Sequence, residues 1–235
     1  GYRPSYADPD VWMRPAIKDD GMEYWEYTLC YVDDVLVISN DPDKTMRRIK
    51  SQFKLKGDKT EEPEVYLGAS LSKMENEFGN LCWAMSSDKY CTALVNNVEE
   101  TLAKKGLRLP SKCLTPILHG YRPEMDATGK LKSDGVQWYQ EIIGSLRWAI
   151  EIGRVDILHE VSLLSKHLAL PREGHLEQVI HVVGYLKSHK KMKLCFDSGY
   201  PKVSKSWFKE YNWFDFYREA EEPIPPNKPE EQGKH

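Results

Sequence analysis

Two adjacent carboxylates, Asp33 and Asp34, are the residues whose type and spacing best suit chemistry. They lie between two apolar, β-prone runs, residues 27–32 and 35–38, each about the length of a strand. Two residues between two strands indicate a tight hairpin, but such a turn favours pairs such as Asn-Gly that tolerate positive φ. Adjacent anions repel, and apolar neighbours raise the cost of ionising them. A divalent cation, Mg²⁺ or Mn²⁺, would offset both penalties, because it prefers hard oxygen ligands and supports phosphoryl transfer.

A second Asp-Asp pair shows that the dipeptide alone carries no function. Asp19 and Asp20 lie in a polar segment that ends at Gly21, and they are expected to form an ordinary solvated turn. The apolar hairpin context is what distinguishes Asp33 and Asp34. On the residues alone, a purely structural turn stays open as the alternative for that pair as well.

Composition restricts the class of protein without naming it. The 235 residues are enough for one large or two small domains, and a hydrophobic content of 40% allows a real core. The formal net charge is −3, so nucleic-acid binding would need a local basic patch. No apolar run suits a membrane span or a signal peptide, so no membrane partner is expected. The five scattered cysteines form no C-x-x-C pair, which indicates a reducing, cytoplasmic location.

Other common catalytic patterns do not fit. Most histidines lie late in the chain, and the spacing of His159, His167 and His175 does not match zinc-ligand patterns. No glycine-rich loop of the phosphate-cradling type occurs, and no serine has the sequence context of a catalytic nucleophile.

The first part of the chain, residues 1–85, is predicted to form a small antiparallel sheet with one helix. A strand near residue 11 pairs across the turn at residues 18–21 with a strand from about Glu23. A helix begins at Pro42 after an acidic cap and runs to about Leu55, with Met46, Ile49 and Phe53 on one stripe. A second hairpin pairs residues 65–71 with residues 81–85.

The helix after the carboxylate hairpin carries many cations on its other faces. They indicate either an ordinary solvated face or a set of phosphate contacts beside the hairpin. The residues are Lys44, Arg47, Arg48, Lys50 and Lys54.

Residues 86–190 are predicted to be helical. Helices are expected from Ser87 to Gly106 and over residues 137–152, 155–168 and 173–188, with a long polar loop at residues 107–132. Their apolar stripes predict a packed bundle. The fold class is therefore α+β.

The end of the chain, residues 191–235, differs in composition from the predicted bundle. A short basic cluster that includes Lys190 and Lys191 precedes a brief strand at residues 192–196. An aromatic stretch and a Pro- and Glu-rich tail follow, and the tail is expected to be partly disordered or a linker.

The segment Tyr31-Val32-Asp33-Asp34 resembles the Tyr-x-Asp-Asp box of reverse transcriptases, and its Val and flanks resemble copia-type retrotransposon polymerases. Further matches follow in the family's order, so that the resemblance covers about residues 1–196. They are Lys54-Leu55-Lys56, Val65-Tyr66-Leu67-Gly68, Asp88-Lys89-Tyr90, Thr115-Pro116, Ile143-Gly144-Ser145-Leu146, Arg154-Val155-Asp156-Ile157 and Val183-Gly184-Tyr185-Leu186-Lys187.

The resemblance implies an RNA-directed DNA polymerase. Residues 1–85 would form part of the palm, residues 86–190 a thumb-like bundle, and residues 191–235 a connector. Asp33 and Asp34 would be the catalytic carboxylates that bind Mg²⁺ or Mn²⁺, with Asp33 as the direct ligand.

The resemblance also implies contacts with substrate. Tyr31 would pack near the primer end and the incoming nucleotide. Tyr66, Leu67 and Gly68 would lie where the primer strand is gripped. For Gly68 the alternative is a glycine that lets two strands pack closely.

The resemblance further implies an internal piece of a polyprotein. A third catalytic Asp and the fingers would precede Gly1, and RNase H would follow the tail, so the isolated chain is expected to be inactive. The partners would be an RNA/DNA template-primer, a nucleotide, and the adjacent fingers, palm and RNase H segments, inside the cell or a virus-like particle. Two alternatives stay open: a non-catalytic nucleic-acid binding module that uses residues 44–59 and 187–193, and a degenerate relic of an element.

Overall fold

The computed structural model describes residues 1–32, 34–55 and 60–197, and these residues form a mixed α+β structure, as predicted. They separate into two compact units, one up to residue 62 and one from residue 63 onward. None of the described helices is both long enough and apolar enough to cross a membrane. The assignment of palm, thumb and connector to residues 1–85, 86–190 and 191–235 stays a prediction.

The first unit contains an antiparallel sheet in which neighbours in sequence are neighbours in space. Its strands are β1 (Arg3–Pro4), β2 (Val11–Ile17), β3 (Glu23–Tyr31) and β4 (Asp34–Ile38), and the helix α1 (Pro42–Gln52) follows them. This order confirms the predicted strand, turn, strand, hairpin, strand arrangement. It also makes β4 an edge strand among the described strands.

The two faces of the first sheet differ, because side chains along a strand alternate in direction. On β3, Glu26 and Thr28 face one side and are buried. Tyr2 connects this side to α1, since its hydroxyl lies 3.1 Å from Glu26 Oε2 and 3.3 Å from Thr45 Oγ1. The opposite side carries Trp25, which is exposed.

Helix α1 begins as predicted and ends earlier than predicted. Asp41 caps it by accepting a hydrogen bond of 3.0 Å from the Lys44 backbone N–H. The helix ends at Gln52, and Phe53 is exposed at its C-cap. The predicted stripe of Met46, Ile49 and Phe53 is therefore wrong at its last member, and the one buried residue of α1 is Thr45.

The second unit contains its own antiparallel sheet. The strands β5 (Val65–Tyr66), β6 (Ala69–Glu75), β7 (Leu81–Ser86) and β8 (Leu194–Phe196) are adjacent in that order. The strand predicted over residues 65–71 is wrong, because a turn divides it into β5 and β6. The predicted brief strand near residue 194 is confirmed as β8, which pairs with β7.

Four helices follow the first three strands of this unit. They are α2 (Asp88–Lys104), α3 (Ser133–Glu151), α4 (Leu158–Ser165) and α5 (Glu173–Ser188). The helix predicted over residues 155–168 instead starts as a 3₁₀ turn, Val155–Ile157, and continues as the shorter α4.

The buried apolar side chains of the described residues all belong to the second unit. In the described part of the first unit the most buried side chains are polar, Glu26, Thr28 and Thr45. The main core of the second unit comprises Cys91, Val95, Val98, Leu102, Cys113, Tyr139, Ile142, Ile143, Leu146, Ala149, Ile157, Val161, Leu164, Val179, Val182, Val183, Tyr185 and Leu186.

The long loop between α2 and α3 is fixed to α5 by three buried polar side chains. His175 Nε2 donates to the Pro123 carbonyl at 2.9 Å, and His181 Nε2 donates to the Thr115 carbonyl at 3.0 Å. Gln178 lies between them and accepts from the backbone of the loop. The imidazoles of His175 and His181 are therefore used to hold the loop on α5.

Candidate functional site

The tip of the β3–β4 hairpin differs from the predicted one by one residue. Tyr31 pairs directly with Asp34, and the turn therefore begins at Val32, one residue before the predicted position. The expectation that Asp33 and Asp34 form the turn together is therefore wrong, since Asp34 is the first residue of β4. Asp33 lies outside the described residues.

Val32 adopts an unusual backbone conformation. Its φ is 53°, in the left-handed region, where a β-branched residue is a genuine outlier. Its side chain is also almost fully exposed, at 94%. Backbone outliers of this kind cluster at functional sites, where the surrounding structure maintains them. The conflict predicted from two adjacent carboxylates in the turn is therefore not what the described residues show, since the unusual backbone conformation is at Val32.

Tyr31 and Asp34 project from the same face of the hairpin, because residues directly opposite each other in an antiparallel pair share a face. Both are exposed, Tyr31 at 47%. A phenol ring and a carboxylate are therefore presented side by side at the solvent-accessible end of the first sheet. This arrangement suits contact with a ligand that has both a flat and a charged part.

The donor chemistry of this hairpin suits a hard divalent cation only in part. Asp34 offers exposed carboxylate oxygens, which Mg²⁺ and Mn²⁺ prefer. Among the described residues, however, no group of three or more His, Cys, Asp or Glu side chains could hold a metal ion. A metal at this end of the sheet would therefore need Asp33 and further ligands.

Glu26 is a buried carboxylate that the sequence analysis did not single out. It is 4% exposed and accepts hydrogen bonds from Ser39 Oγ at 2.7 Å, the Tyr24 hydroxyl at 2.9 Å, the Tyr2 hydroxyl at 3.1 Å, and Arg14 Nε. Burial alone would raise the pKa of Glu26, but the four donors outweigh it and lower that pKa to about 2. The only signal in the sequence is that Arg14 and Glu26 become cross-strand partners once β2 and β3 are aligned.

Two of the five cations predicted to contact phosphate line a cavity, and the contact of all five with phosphate stays a prediction. Lys44 and Arg48 line a cavity in the first unit. Arg47 and Lys54 are exposed and do not line it, and Lys50 is half-buried.

The predicted primer-contacting segment forms the turn between β5 and β6. Leu67 and Gly68 have φ values of 50° and 85°, and this pair of positive angles is typical of a type I′ hairpin turn. A Cβ atom on Gly68 would have no atom within 4 Å, so the alternative that this glycine permits close strand packing is wrong. Contact of Tyr66, Leu67 and Gly68 with a primer stays a prediction.

The basic cluster at the end of α5 and just after it is used partly within the molecule. Lys187 Nζ lies 2.5 Å from Glu99 Oε1, and Lys193 Nζ donates to Ser72 Oγ at 3.2 Å. Lys190 and Lys191 are exposed. Their predicted contact with phosphate stays a prediction.

Comparisons with known proteins give a consistent class of relatives. The chain is 28% identical over 173 residues to a putative transposon Ty5-1 protein of Saccharomyces cerevisiae, a match that covers 74% of this chain and 52% of that protein. It is 26% identical over 163 residues to the retrovirus-related Pol polyprotein from transposon RE1 of Arabidopsis thaliana, over 68% of this chain and 10% of the polyprotein. It is also 26% identical over 201 residues to the retrovirus-related Pol polyprotein from transposon TNT 1-94 of Nicotiana tabacum, over 85% of this chain and 14% of the polyprotein.

The chain thus spans about half the length of the yeast relative and a small part of the two plant polyproteins. No protein-family model matches it, and no solved structure matches it significantly. Over most of its length, the chain is therefore similar to transposon proteins, among them retrovirus-related Pol polyproteins.

Proposed function

We propose that this chain is a segment of an RNA-directed DNA polymerase of the copia type. The observation that carries the proposal is the exposed hairpin, in which Tyr31 and Asp34 share a face beside the backbone outlier Val32. This hairpin coincides with the segment that resembles the Tyr-x-Asp-Asp box. The similarity to Pol polyproteins over most of the chain supports the same assignment.

The reaction proposed for the complete protein is attack of a primer 3′-hydroxyl on the α-phosphate of a nucleotide. Asp33 and Asp34 would hold the metal ions, and the exposed ring of Tyr31 would support the primer end. Bound Mg²⁺ or Mn²⁺ would supply charge stabilisation at the attacking and leaving oxygens. The template-primer and the nucleotide are accordingly the proposed partners.

The isolated chain is proposed to need further segments for activity. Mg²⁺ keeps several of its waters, so two carboxylates alone would hold it weakly. Additional carboxylates would have to come from adjoining fingers and palm segments of the same polyprotein, with RNase H as a further neighbour. Primer extension by the purified 235-residue chain would contradict this part of the proposal.

The test is primer extension on an RNA template by the longest reading frame that contains the chain. Asp33→Asn and Asp34→Asn should each lower the Mg²⁺-dependent rate by at least about 10²-fold, because each removes a charge needed in the transition state. Asp20→Asn is the matched control, since it changes a carboxylate in a polar turn of the same sheet. Full activity of the Asp33→Asn variant would overturn the proposed role of the hairpin.

A non-catalytic nucleic-acid binding module is the second candidate. The observation that favours it is the cavity lined by Lys44 and Arg48, which does not depend on the carboxylates of the hairpin. Salt-dependent binding of a hybrid duplex that Asp33→Ala leaves unchanged would support this function. An affinity that stays flat between low and high salt would exclude it.

A further inference from the structure

A cavity of about 350 Å³ opens in the first unit beside the β2–β3 turn and the start of α1. Its volume lies near the lower end of the range of small-ligand sites, about 300–1,000 Å³. Residues of β2, β3, the turn and α1 contribute to it. They are Arg14, Pro15, Ala16, Ile17, Lys18, Asp19, Tyr24, Glu26, Asn40, Asp41, Lys44 and Arg48.

Four cations from two separate parts of the sequence converge on this cavity. Arg14 and Lys18 come from β2 and the residue after it, and Lys44 and Arg48 come from α1. Lys44 and Arg48 are four residues apart and therefore lie on one side of α1, whereas Arg47 does not line the cavity. The convergence is therefore a property of the fold and not of a local charge run.

Three carboxylates, Asp19, Glu26 and Asp41, also line the cavity. Glu26 and Asp41 already accept hydrogen bonds from protein groups. Glu26 accepts four hydrogen bonds, one of them from Arg14. Asp41 caps α1 by accepting a hydrogen bond from the Lys44 backbone. The Lys44 and Arg48 side chains are exposed, and Lys18 Nζ lies over the Tyr24 ring, 5.8 Å from its centroid.

Once Arg14 is paired with Glu26, the three other cations that line the cavity outnumber the two other carboxylates, so a bound cation would meet a net positive charge. The described residues also hold no group of three or more side chains suited to a metal ion. An anion with several oxygens fits better. A phosphate can accept two parallel hydrogen bonds from Arg48 and others from Lys44 and the Asn40 amide.

We propose that this cavity binds a backbone phosphate of a nucleic acid. The choice of nucleic acid over another phosphate source rests on the proposed polymerase function. The proposal separates the cations at residues 44–54 into two groups. Lys44 and Arg48 line the cavity and bind phosphate there, whereas Arg47 and Lys54 do not line it. It also adds Lys18, on a different element, to the binding surface.

The experiment compares two double variants of the 235-residue chain. Lys44→Ala with Arg48→Ala removes two cations of the cavity, and Arg47→Ala with Lys54→Ala removes two exposed cations outside it. Binding of a fluorescent single-stranded RNA is measured by anisotropy between low and moderate salt. We expect the cavity variant to weaken binding about tenfold, and the salt slope should fall by about 0.7 for each phosphate that is no longer neutralised.

The control variant carries the same change in net charge and should bind nearly as tightly as the parent chain. Matching thermal melts of both variants show that folding is intact. The proposal is wrong if the two variants bind RNA with the same affinity and the same salt slope. A cavity variant that retains the parent affinity would contradict it equally.

A separate titration identifies the source of the phosphate. Inorganic phosphate is titrated into the chain without RNA. Saturable binding at micromolar concentration that disappears only in the cavity variant, while RNA binding is unchanged, would assign the cavity to a small phosphate ligand and overturn the nucleic-acid proposal. The two proposals can fail separately. If only the cavity variant loses RNA binding, the phosphate site is supported. If Asp33→Asn also keeps full polymerase activity in the longer protein, the proposed catalytic role of the hairpin is wrong while the phosphate site stands.

Discussion

The Glu26 carboxylate stabilises the first sheet because its charge is neutralised and fully hydrogen-bonded. Arg14 provides the opposite charge from the neighbouring strand, and Tyr2, Tyr24 and Ser39 donate to the remaining lone pairs. A buried charge without such partners would be strongly destabilising. The polar cluster thus performs the organising role that apolar side chains perform in the second unit.

The free energy of unfolding of the first unit should therefore fall at acid pH. The folded pKa of Glu26, about 2, lies below its ordinary value of 4.5, so the unfolded state binds more protons in this interval. The contribution of Glu26 is complete above about pH 4.5 and is lost as pH falls toward 2. Between about pH 5 and pH 3 we expect a loss of about 1–2 kcal/mol from this group, allowing for solvent screening.

Urea denaturation at several pH values, followed by tryptophan fluorescence, measures this loss. Ser39→Ala removes one donor to Glu26, so the acid-dependent loss should become smaller. Glu23→Gln, at an exposed position of the same strand, should leave it unchanged. An identical pH dependence in Ser39→Ala would show that the hydrogen bonds to Glu26 do not set its pKa.

At the scale of single residues, the sequence was sufficient to select the hairpin but not its geometry. Alternation and apolar content located β3 and β4, yet neither Val32 nor Leu67 carries a turn signal. Sequence rules for turns look for Gly, Asn or Asp at positions of positive φ. They therefore do not detect Val32 and Leu67, which adopt positive φ although their side chains are bulky. Glu26 was missed because its partners come from distant positions of the chain.

At the scale of elements, the close approach of the long loop to α5 depends on glycines. A Cβ atom on Gly174 would lie 2.0 Å from Asp126 Oδ2. Asp126 cannot easily move away, since it accepts from the Tyr121 hydroxyl at 2.5 Å and from the Thr128 backbone at 2.9 Å. A Cβ atom on Gly184 would lie 2.9 Å from Cys113 Sγ. The two positions thus allow the loop to lie directly on the helix.

Alanine substitutions in two helices should therefore have opposite effects. Gly174→Ala should lower the free energy of unfolding by about 1–3 kcal/mol, because the added methyl group collides with a fixed carboxylate. Gly144→Ala, in α3, meets no atom within 4 Å and should raise it by about 0.5–1 kcal/mol through the helix preference of alanine. Urea denaturation of both variants measures the two changes. A neutral Gly174→Ala variant would indicate that the loop can leave α5 at little cost.

The elements of the second unit follow the sequence unevenly. Residues 173–188 were predicted as a helix and form α5 with the same bounds, because its apolar spacing and its position after Pro171 are unambiguous. The strand over residues 65–71 failed because its turn contains Leu67. The four strands of the second sheet could not be predicted as one sheet, since β8 is more than a hundred residues away from β7.

At the scale of the whole molecule, apolar burial is distributed unevenly. The described part of the first unit has no fully buried apolar side chain, whereas the second unit encloses a continuous core from α2 to α5. Apolar burial is the dominant source of stability, so the two units should differ in the free energy of opening.

Native-state hydrogen exchange should therefore show two levels of protection. Backbone amides of β2 and β3 should exchange at lower urea concentration than those of α3 and α5. Mass spectrometry of peptides from each element measures the difference. Coincident opening of both units would contradict the expectation, and a fully unprotected chain would favour the degenerate relic among the alternatives for this protein.

The edge position of β4 has a consequence for how Asp34 could gain neighbours. Among the described strands, β4 has no partner on its outer side, and an edge strand of this kind can accept another strand through its backbone N–H and C=O groups. Side chains alternate between faces, so only one of two registers would place a given residue of the added strand on the face of Asp34. A slip by a single residue would turn every side chain of that strand to the wrong side. A strand added at β4 would thus have to pair in one particular register. A deletion of one residue far from any carboxylate could then be as damaging as loss of the carboxylate itself.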